Sequence, residues 1–137
     1  MSSPDISCSL HHRPDLGLLV ARWPSDASVY QLQTDFEALL RAALERDTAR
    51  WLLDVRRRAA LQPDFAHWTV HDFFPRAAVA LAPRPLRIAA LCSPARLTVY
   101  DTSAEQKAII EEGTAPEQRY QLRLFLDEGS TMQWLSA

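Results

Sequence analysis

The stretch WLLDV at residues 51–55 constrains the fold more than any other part of this sequence. It is apolar except for Asp54, it lacks the alternation of a half-exposed strand, and it is too short for a buried helix. Runs of this kind are typical of strands in parallel or mixed sheets that are covered on both faces. The rest of the chain therefore has to supply helices for both faces of a sheet.

Two long segments around this run have helical patterns. In the first, apolar residues recur at steps of three and four and predict a helix that ends near Asp47: Val29, Leu32, Phe36, Leu39 and Ala43. The second spans residues 64–83, where Pro75 marks either a kink or the first turn of a second helix that Asp72 caps. Both helices are expected to pack on the sheet.

The remaining segments predict further strands and helices. We expect an N-terminal hairpin with a turn at 13–15, strands at 87–92 and 120–126, a helix from Thr102 or Ser103 to Gly113, and a closing helix capped by Asp127. Strands separated by helices predict a single α/β domain over residues 1–137. Its mixed β-sheet has about five strands, of which those after the antiparallel hairpin are largely parallel.

Composition narrows the choice of partners. A chain of 137 residues with 47% hydrophobic residues can bury a core, and a net charge of −2 predicts no nucleic-acid binding. No apolar run approaches the length of a membrane span, so we expect no integral membrane association. The N-terminus lacks a signal-peptide pattern, and Cys8 and Cys92 match no disulfide framework, so a cytoplasmic location with reduced thiols is predicted.

Motifs for catalysis and cofactors are missing from the sequence. The glycines are isolated, at 17, 113 and 129, which excludes phosphate-binding loops, and no GxSxG elbow surrounds Ser93. His67 and His71 are four residues apart, so their rings can meet over one helical turn, but the HExxH motif is absent. We therefore predict a protein that is not an enzyme and that has no metal site and no cofactor.

Asp54 and Arg56 lie where the apolar run ends. Period-two alternation places Leu52, Asp54 and Arg56 on one face of the strand, and Trp51, Leu53 and Val55 on the other. The carboxyl edge of a parallel sheet is where ligands usually bind, so one interpretation is a polar anchor for a bound group. The other is that Asp54 caps the following backbone or pairs with an arginine, while Arg56, Arg57 and Arg58 form a solvated edge.

Aromatic side chains crowd the second helical segment. Phe65, Trp68, Phe73 and Phe74 do not share one narrow helix face, so some of them point away from the sheet. They are expected to fill the core, to cover a partner subunit in a homodimer, or to line a pocket for a small hydrophobic or lipid-like ligand. In the last case Asp54 and Arg56 would gate a pocket near Trp68 and Phe74.

Several motifs occur in a recognisable order: WLLDVRRR, Trp68 with FFP at 73–75, RIAALCSP at 87–94, Gln106, and FLDEGSTMQWL at 125–135. Taken together they resemble bacterial SpoIIAA-like proteins of the STAS/SEC14 type. The resemblance implies a STAS-like sheet and a regulatory module that acts through protein–protein contacts, with ligand carriage as the alternative. Candidate ligand- or partner-binding residues are Asp54, Arg56, Trp68, His71, Phe74 and Ser93.

The chain departs from this group at one functional position. In the anti-anti-sigma branch of STAS proteins, a phosphorylatable serine follows the central strand at the start of the next helix. The corresponding residues here are 54–60, and no Ser or Thr occurs after Asp54 until Thr69. The resemblance therefore supports the scaffold, and a phosphoserine switch at the usual place is excluded.

Overall fold

The computed structural model describes residues 5–59 and 62–137 and has an α/β architecture. Its sheet has the strand order β1-β2-β3-β4-β5, with β1 antiparallel to β2 and the other neighbours parallel. The strands are β1 Ser9–Arg13, β2 Leu18–Arg22, β3 Arg50–Asp54, β4 Arg87–Leu91 and β5 Gln121–Phe125. The predicted fold class, a mixed five-stranded sheet with an N-terminal hairpin, is confirmed.

Helices follow each of the parallel strands. They are α1 Val29–Arg46, α2 Pro63–Trp68, α3 Phe74–Leu81, α4 Pro94–Thr102, α5 Ala104–Gly113 and α6 Glu128–Ser136. Side-chain caps begin several of them: Ser28 accepts from the Gln31 amide, Ser103 from the Gln106 amide, and Asp127 from the Ser130 amide. The predicted caps at Ser103 and Asp127 are therefore confirmed.

Strand order determines how the helices are distributed. Each parallel strand lies beside its predecessor in the same direction, and right-handed crossovers then place the intervening helices on one face of the sheet. The large core lies on this face, between the sheet and helices α1 to α5. Helix α6 contacts β3, β4 and β5, and Leu135 is fully buried in a smaller core that includes Leu52.

Strand β3 is an interior strand, as the apolar run predicts. It pairs with β2 and β4, and Trp51, Leu52 and Leu53 are all at most 3% exposed. Trp51, Leu53 and Val55 belong to the large core and Leu52 to the smaller one. The expected division of the strand between two helical layers is confirmed.

The second helical segment resolves the question raised by Pro75. Helices α2 and α3 are joined by a π-helical turn, Thr69–Phe73, in which the Phe74 amide donates to the Thr69 carbonyl. A wider turn accommodates a proline, because proline has no amide hydrogen and its ring clashes with the carbonyl four residues earlier. Asp72 caps no helix there; it pairs with Arg76 one turn later, at 3.2 Å.

Other boundaries differ from the predicted ones. Strand β1 occupies Ser9–Arg13, so Arg13, the first residue of the predicted turn at 13–15, still belongs to the strand. Helix α4 was not predicted, although Ser93 and Pro94 are a good N-terminal signal: the Ser93 hydroxyl accepts from the Arg96 amide at 3.1 Å.

Two predictions extend beyond what the structure describes. The signal-peptide argument used residues 1–4 and the missing-serine argument used Ala60, all of which lie outside the described residues. Within the described ranges, no helix combines the length and the hydropathy needed to cross a membrane.

Candidate functional site

Polar side chains at the carboxyl edge of β2 and β3 form a closed network around Asp54. The Arg22 guanidinium donates to the Asp54 carboxylate at 2.7 Å and to the Glu128 carboxylate at 2.6 Å. Arg56 donates to Asp54 through its side-chain Nε and Nη2, at 3.0 and 2.9 Å, and through its backbone amide at 3.2 Å. We call Arg22, Asp54, Arg56 and Glu128 the Asp54 network.

Electrostatics explain why Asp54 stays ionised although it is buried. Burial alone would raise its pKa, but hydrogen bonds from Arg56 and Arg22 outweigh that effect and hold the pKa below its usual value. The same hydrogen bonds occupy both carboxylate oxygens. The interpretation of Asp54 as a cap and ion-pair partner therefore describes its contacts.

A surface cleft of about 610 Å³ opens beside this network. Besides Arg22, Asp54 and Arg56 it is lined by Ser7, Ser9, Trp23, Pro24 and Arg57. Two of its arginines already bind carboxylates of the chain. A ligand in this cleft would have to compete with those internal partners.

A second pocket opens into the large core, and we call it the core cavity. Its volume is about 100 Å³, and it is bounded by helices α1 to α5 and by strands β3 to β5. The apolar wall consists of Phe36, Leu53, Val55, Phe65, Ala66, Val70, Phe74, Ala90, Ile109, Ile110, Leu122 and Leu124. Gly113 borders this wall, because a Cβ there would lie 3.1 Å from Val70 and 3.2 Å from Leu122.

One part of the core cavity is polar. Arg58, Arg96, Tyr100 and Gln106 line it, and none of its described lining residues is Asp or Glu. Arg96 donates to the Tyr100 hydroxyl at 2.6 Å and to the Arg58 carbonyl at 2.8 Å, which ties α4 to the loop after β3. The Arg58 guanidinium lies over the Phe65 ring, 5.4 Å from its centroid.

Two donors in this polar part lack acceptors. Arg58 and Gln106 are each 4% exposed, and neither Arg58 Nε nor Gln106 Nε2 has a hydrogen-bond partner among the described residues. Burial, with a smaller contribution from the Arg96 charge, lowers the pKa of Arg58 to about 10, so this side chain is still a cation at neutral pH. A cation and an amide are therefore buried together without a carboxylate in the cavity wall.

This arrangement corrects one expectation about the arginines that follow β3. Arg56 and Arg57 are exposed, as expected for a solvated edge, but Arg58 is buried. The chain turns after Val55, where the Arg58 amide donates to the Val55 carbonyl at 3.1 Å. That turn directs the third arginine beneath α2 and α4, in contact with Phe65.

The structure distributes the remaining candidate residues over separate places. Phe74 lines the core cavity and contacts the Tyr120 ring at 5.1 Å between centroids. Trp68 stacks on Phe65 and Phe73 and lines a groove on the outside of α1. Asp54 and Arg56 line the surface cleft, so they do not gate a pocket at Phe74. Ser93 serves as the cap of α4.

His71 lies on the outer surface of the helical layer. Its ring stacks on that of His67, with centroids 5.3 Å apart, as the spacing of four predicts. His71 contacts Glu112 at 2.8 Å and His67 contacts Glu105 at 3.6 Å, so the pair faces helix α5. Over the described ranges, no group of three or more His, Cys, Asp or Glu side chains is placed to hold a metal ion.

Both thiols are poor nucleophiles in this environment. Burial raises the pKa of Cys92 to about 11, and burial together with the nearby Asp35 charge raises that of Cys8 to about 12. The thiolate is the reactive form of cysteine, and at neutral pH almost none of either residue is ionised.

Reasoning from sequence missed the polar residues of the core cavity. Arg96 and Tyr100 are four apart, which is the spacing that brings side chains together on a helix, but α4 itself was not predicted. Gln106 stands three residues after the Ser103 cap, a position normally assigned to capping. The burial of these side chains follows from how α4 and α5 pack, which no local pattern encodes.

Comparisons with protein-family models, with curated proteins and with solved structures found no match. The resemblance to SpoIIAA-like proteins therefore depends on the sequence motifs alone, and it stays a prediction.

Proposed function

We propose that this protein is a non-catalytic binding module that holds a small amphipathic ligand in the core cavity. The observation that supports this most directly is the pair of buried, unpaired donors, Arg58 Nε and Gln106 Nε2, beside an apolar wall. Buried polar groups usually have partners, because an unpaired one costs about 1–3 kcal/mol. A bound ligand that accepts hydrogen bonds would supply the missing partners.

The shape of the core cavity fits this role. Small-molecule sites are typically concave and mostly apolar, with a few polar groups that orient the ligand. Here the rings of Phe65 and Phe74 belong to the apolar wall, while Arg58, Arg96 and Gln106 supply polar lining. Gln62, Ala66 and Arg96 on its boundary are partly exposed, so a ligand has a route from solvent.

Chemistry on the ligand has less support. No described cavity-lining residue is a carboxylate, a histidine or a cysteine, so the wall offers no general base of the ordinary kinds. The Tyr100 hydroxyl has a pKa that burial raises, which keeps it protonated. These groups can bind and release a ligand, and their positions depend on the packing of α4 and α5.

The test is a titration of ¹⁵N- and methyl-labelled protein with four-carbon probes, namely isobutyrate, isobutyramide and isobutanol, followed by NMR. We expect saturable shifts for the methyl groups of Val70, Ile109 and Leu122 with at least one probe. If none of the probes shifts these signals, the cavity is a hydrated packing defect and the proposal is wrong.

A matched pair of substitutions locates the binding site. Ala90→Leu adds a branched side chain inside the core cavity, whereas Ala108→Leu makes the same change at an exposed position of α5. We expect Ala90→Leu to abolish the shifts and Ala108→Leu to preserve them. Equal binding by both variants would place the ligand elsewhere.

A second role, contact with another protein, is supported by a different feature. A groove of about 450 Å³ runs along α1 and is lined by Tyr30, Trp68, Arg41, Arg76 and Glu37 among others. Tyr30 is 79% exposed. Tyrosine, tryptophan and arginine are the residue types that dominate binding energy at protein interfaces.

The homodimer predicted from the sequence is the simplest form of this second role. Sedimentation velocity over a wide concentration range should show a dimer that Tyr30→Ala weakens at least tenfold. Val99→Ala, which truncates an exposed side chain on α4, is the control. A monomer at the highest concentration would contradict self-association.

A further inference from the structure

The polar part of the core cavity also constrains the chemical class of its ligand. We infer that the ligand is a short-chain monocarboxylate, whose carboxylate accepts hydrogen bonds from Arg58 Nε and Gln106 Nε2 while its alkyl group contacts the apolar wall. This inference rests on the proposed function, since it assigns a ligand class to the same cavity.

Charge selects an anion over a neutral ligand. Arg58 is buried, and Arg96 is close enough for the positive charges to oppose each other. The carboxylates that act on Arg58, Asp26 and Asp35, are not among the lining residues of the cavity. An anion in the cavity would offset the repulsion between the arginines, and Coulomb interactions are stronger there than in water.

Donor chemistry points the same way. Arg58 Nε and Gln106 Nε2 can only donate, and the Tyr100 hydroxyl already accepts from Arg96, so its own proton is the next available donor. A carboxylate is an acceptor at both oxygens. A primary amide presents donors of its own toward these groups and satisfies fewer of them.

Volume limits the size of the ligand. An engineered apolar cavity of about 150 Å³ accommodates benzene, so a cavity of about 100 Å³ encloses roughly four non-hydrogen atoms, and its open boundary leaves room for about one or two more. Propionate and isobutyrate fall in that range, and longer fatty acids do not. The apolar wall includes the branched side chains of Val70, Ile109 and Leu122, which suit a short alkyl group.

The decisive measurement compares isobutyrate with isobutyramide, which has nearly the same shape and no charge, in NMR titrations of wild-type protein at neutral pH. We expect isobutyrate to bind at least tenfold more tightly. Equal affinities would overturn the carboxylate inference and leave the proposed binding function standing. Failure of both probes, and of isobutanol, would overturn the binding function itself.

Substitutions test which group recognises the charge. Arg58→Met keeps a long apolar side chain and removes the cation, so we expect it to weaken isobutyrate binding at least tenfold and to weaken isobutyramide binding much less. Arg57→Met is the matched control, because Arg57 is the exposed neighbour. Unchanged isobutyrate affinity in Arg58→Met would refute the assigned role of Arg58.

A second variant and a longer acid test the same site. If Arg58→Met does not fold, Gln106→Met removes the other donor and should weaken isobutyrate binding severalfold; no loss would count against the site.

Octanoate distinguishes a short acid from the end of a fatty acid. We expect octanoate to bind more weakly than isobutyrate, and tighter binding would overturn the assigned chain length.

Discussion

The Asp54 network and the core cavity are both polar clusters within an apolar sheet-and-helix body, and they differ in how completely their groups are paired. In the network, Arg22 and Arg56 both donate to Asp54, and Glu128 accepts from Arg22 as well. In the cavity, Arg58 Nε and Gln106 Nε2 have no acceptor among the described residues. The network therefore supplies its own hydrogen-bond partners, and the described part of the cavity does not.

This contrast gives different expectations for substitutions at the two places. A buried unpaired donor needs an explanation, because replacing it with an apolar side chain would usually stabilise the fold. A paired carboxylate needs none, since removing it leaves its partners without an acceptor. Substitutions at the two places should therefore change the free energy of unfolding in opposite directions.

The largest effect is expected from Asp54→Ala. The substitution leaves Arg22 and Arg56 without their shared acceptor, and we expect a loss of about 1–3 kcal/mol in unfolding free energy, reduced from the value for a fully buried pair because both arginines face solvent. Urea denaturation of wild type and variant measures it. A loss below about 0.5 kcal/mol would mean that the network is a solvated surface cluster.

The pH dependence of Asp54→Asn tests whether the charge of the Asp54 carboxylate stabilises the fold. Because the folded-state pKa of Asp54 lies below its ordinary value of 3.8, the ionised carboxylate stabilises the fold above that value. This stabilisation is lost as pH falls through the lowered folded pKa. The stability difference between wild type and Asp54→Asn should therefore be full at neutral pH and should shrink as the pH falls below 3.8, as followed by thermal unfolding.

A smaller effect of opposite sign is expected from Gln106→Met. The variant replaces a buried, unpaired amide with an apolar chain of similar shape, so ligand-free protein should gain about 0.5–1 kcal/mol. Gln121→Met, at an exposed position of β5, is the control and should change stability little. Destabilisation by Gln106→Met beyond about 1 kcal/mol would indicate that the amide has a partner, such as ordered water.

The smallest effect is expected from Glu128→Gln. Glu128 and Arg22 form an exposed ion pair at 2.6 Å, with side chains 46% and 41% exposed. Exposed pairs of this kind contribute about 0.2–1 kcal/mol, and salt screens them. Denaturation at low and high salt should show a small loss that disappears at high salt; a salt-independent loss would contradict the assignment.

Local patterns in the sequence were enough to predict most of the scaffold. The apolar run at 51–55 predicted an interior strand, and the period-two assignment of Leu52 and Leu53 to opposite faces agrees with the two cores. Ser103 and Asp127 predicted helix starts through capping chemistry. These signals are reliable because each depends on neighbours within one turn or one strand.

The binding chemistry was not predictable in the same way. Residues 56, 57 and 58 are all arginine, so residue type does not distinguish them. The turn after Val55 buries Arg58 and leaves Arg56 and Arg57 exposed. The prediction placed Trp68 and Phe74 at one pocket, whereas the π-helical turn between them directs Trp68 to the outer groove and Phe74 to the cavity.

By itself, then, the sequence determined the class of fold, the interior position of β3 and the residues that begin several helices, because periodicity and capping are short-range properties. Only the tertiary structure decided that Arg58 and Gln106 share a cavity. They are 48 positions apart, on the loop after β3 and on α5. Their burial, with no acceptor for Arg58 Nε or Gln106 Nε2 in the described part of the chain, arises from the packing of α2, α4 and α5 over the sheet. Packing between distant elements leaves no periodic trace in the sequence.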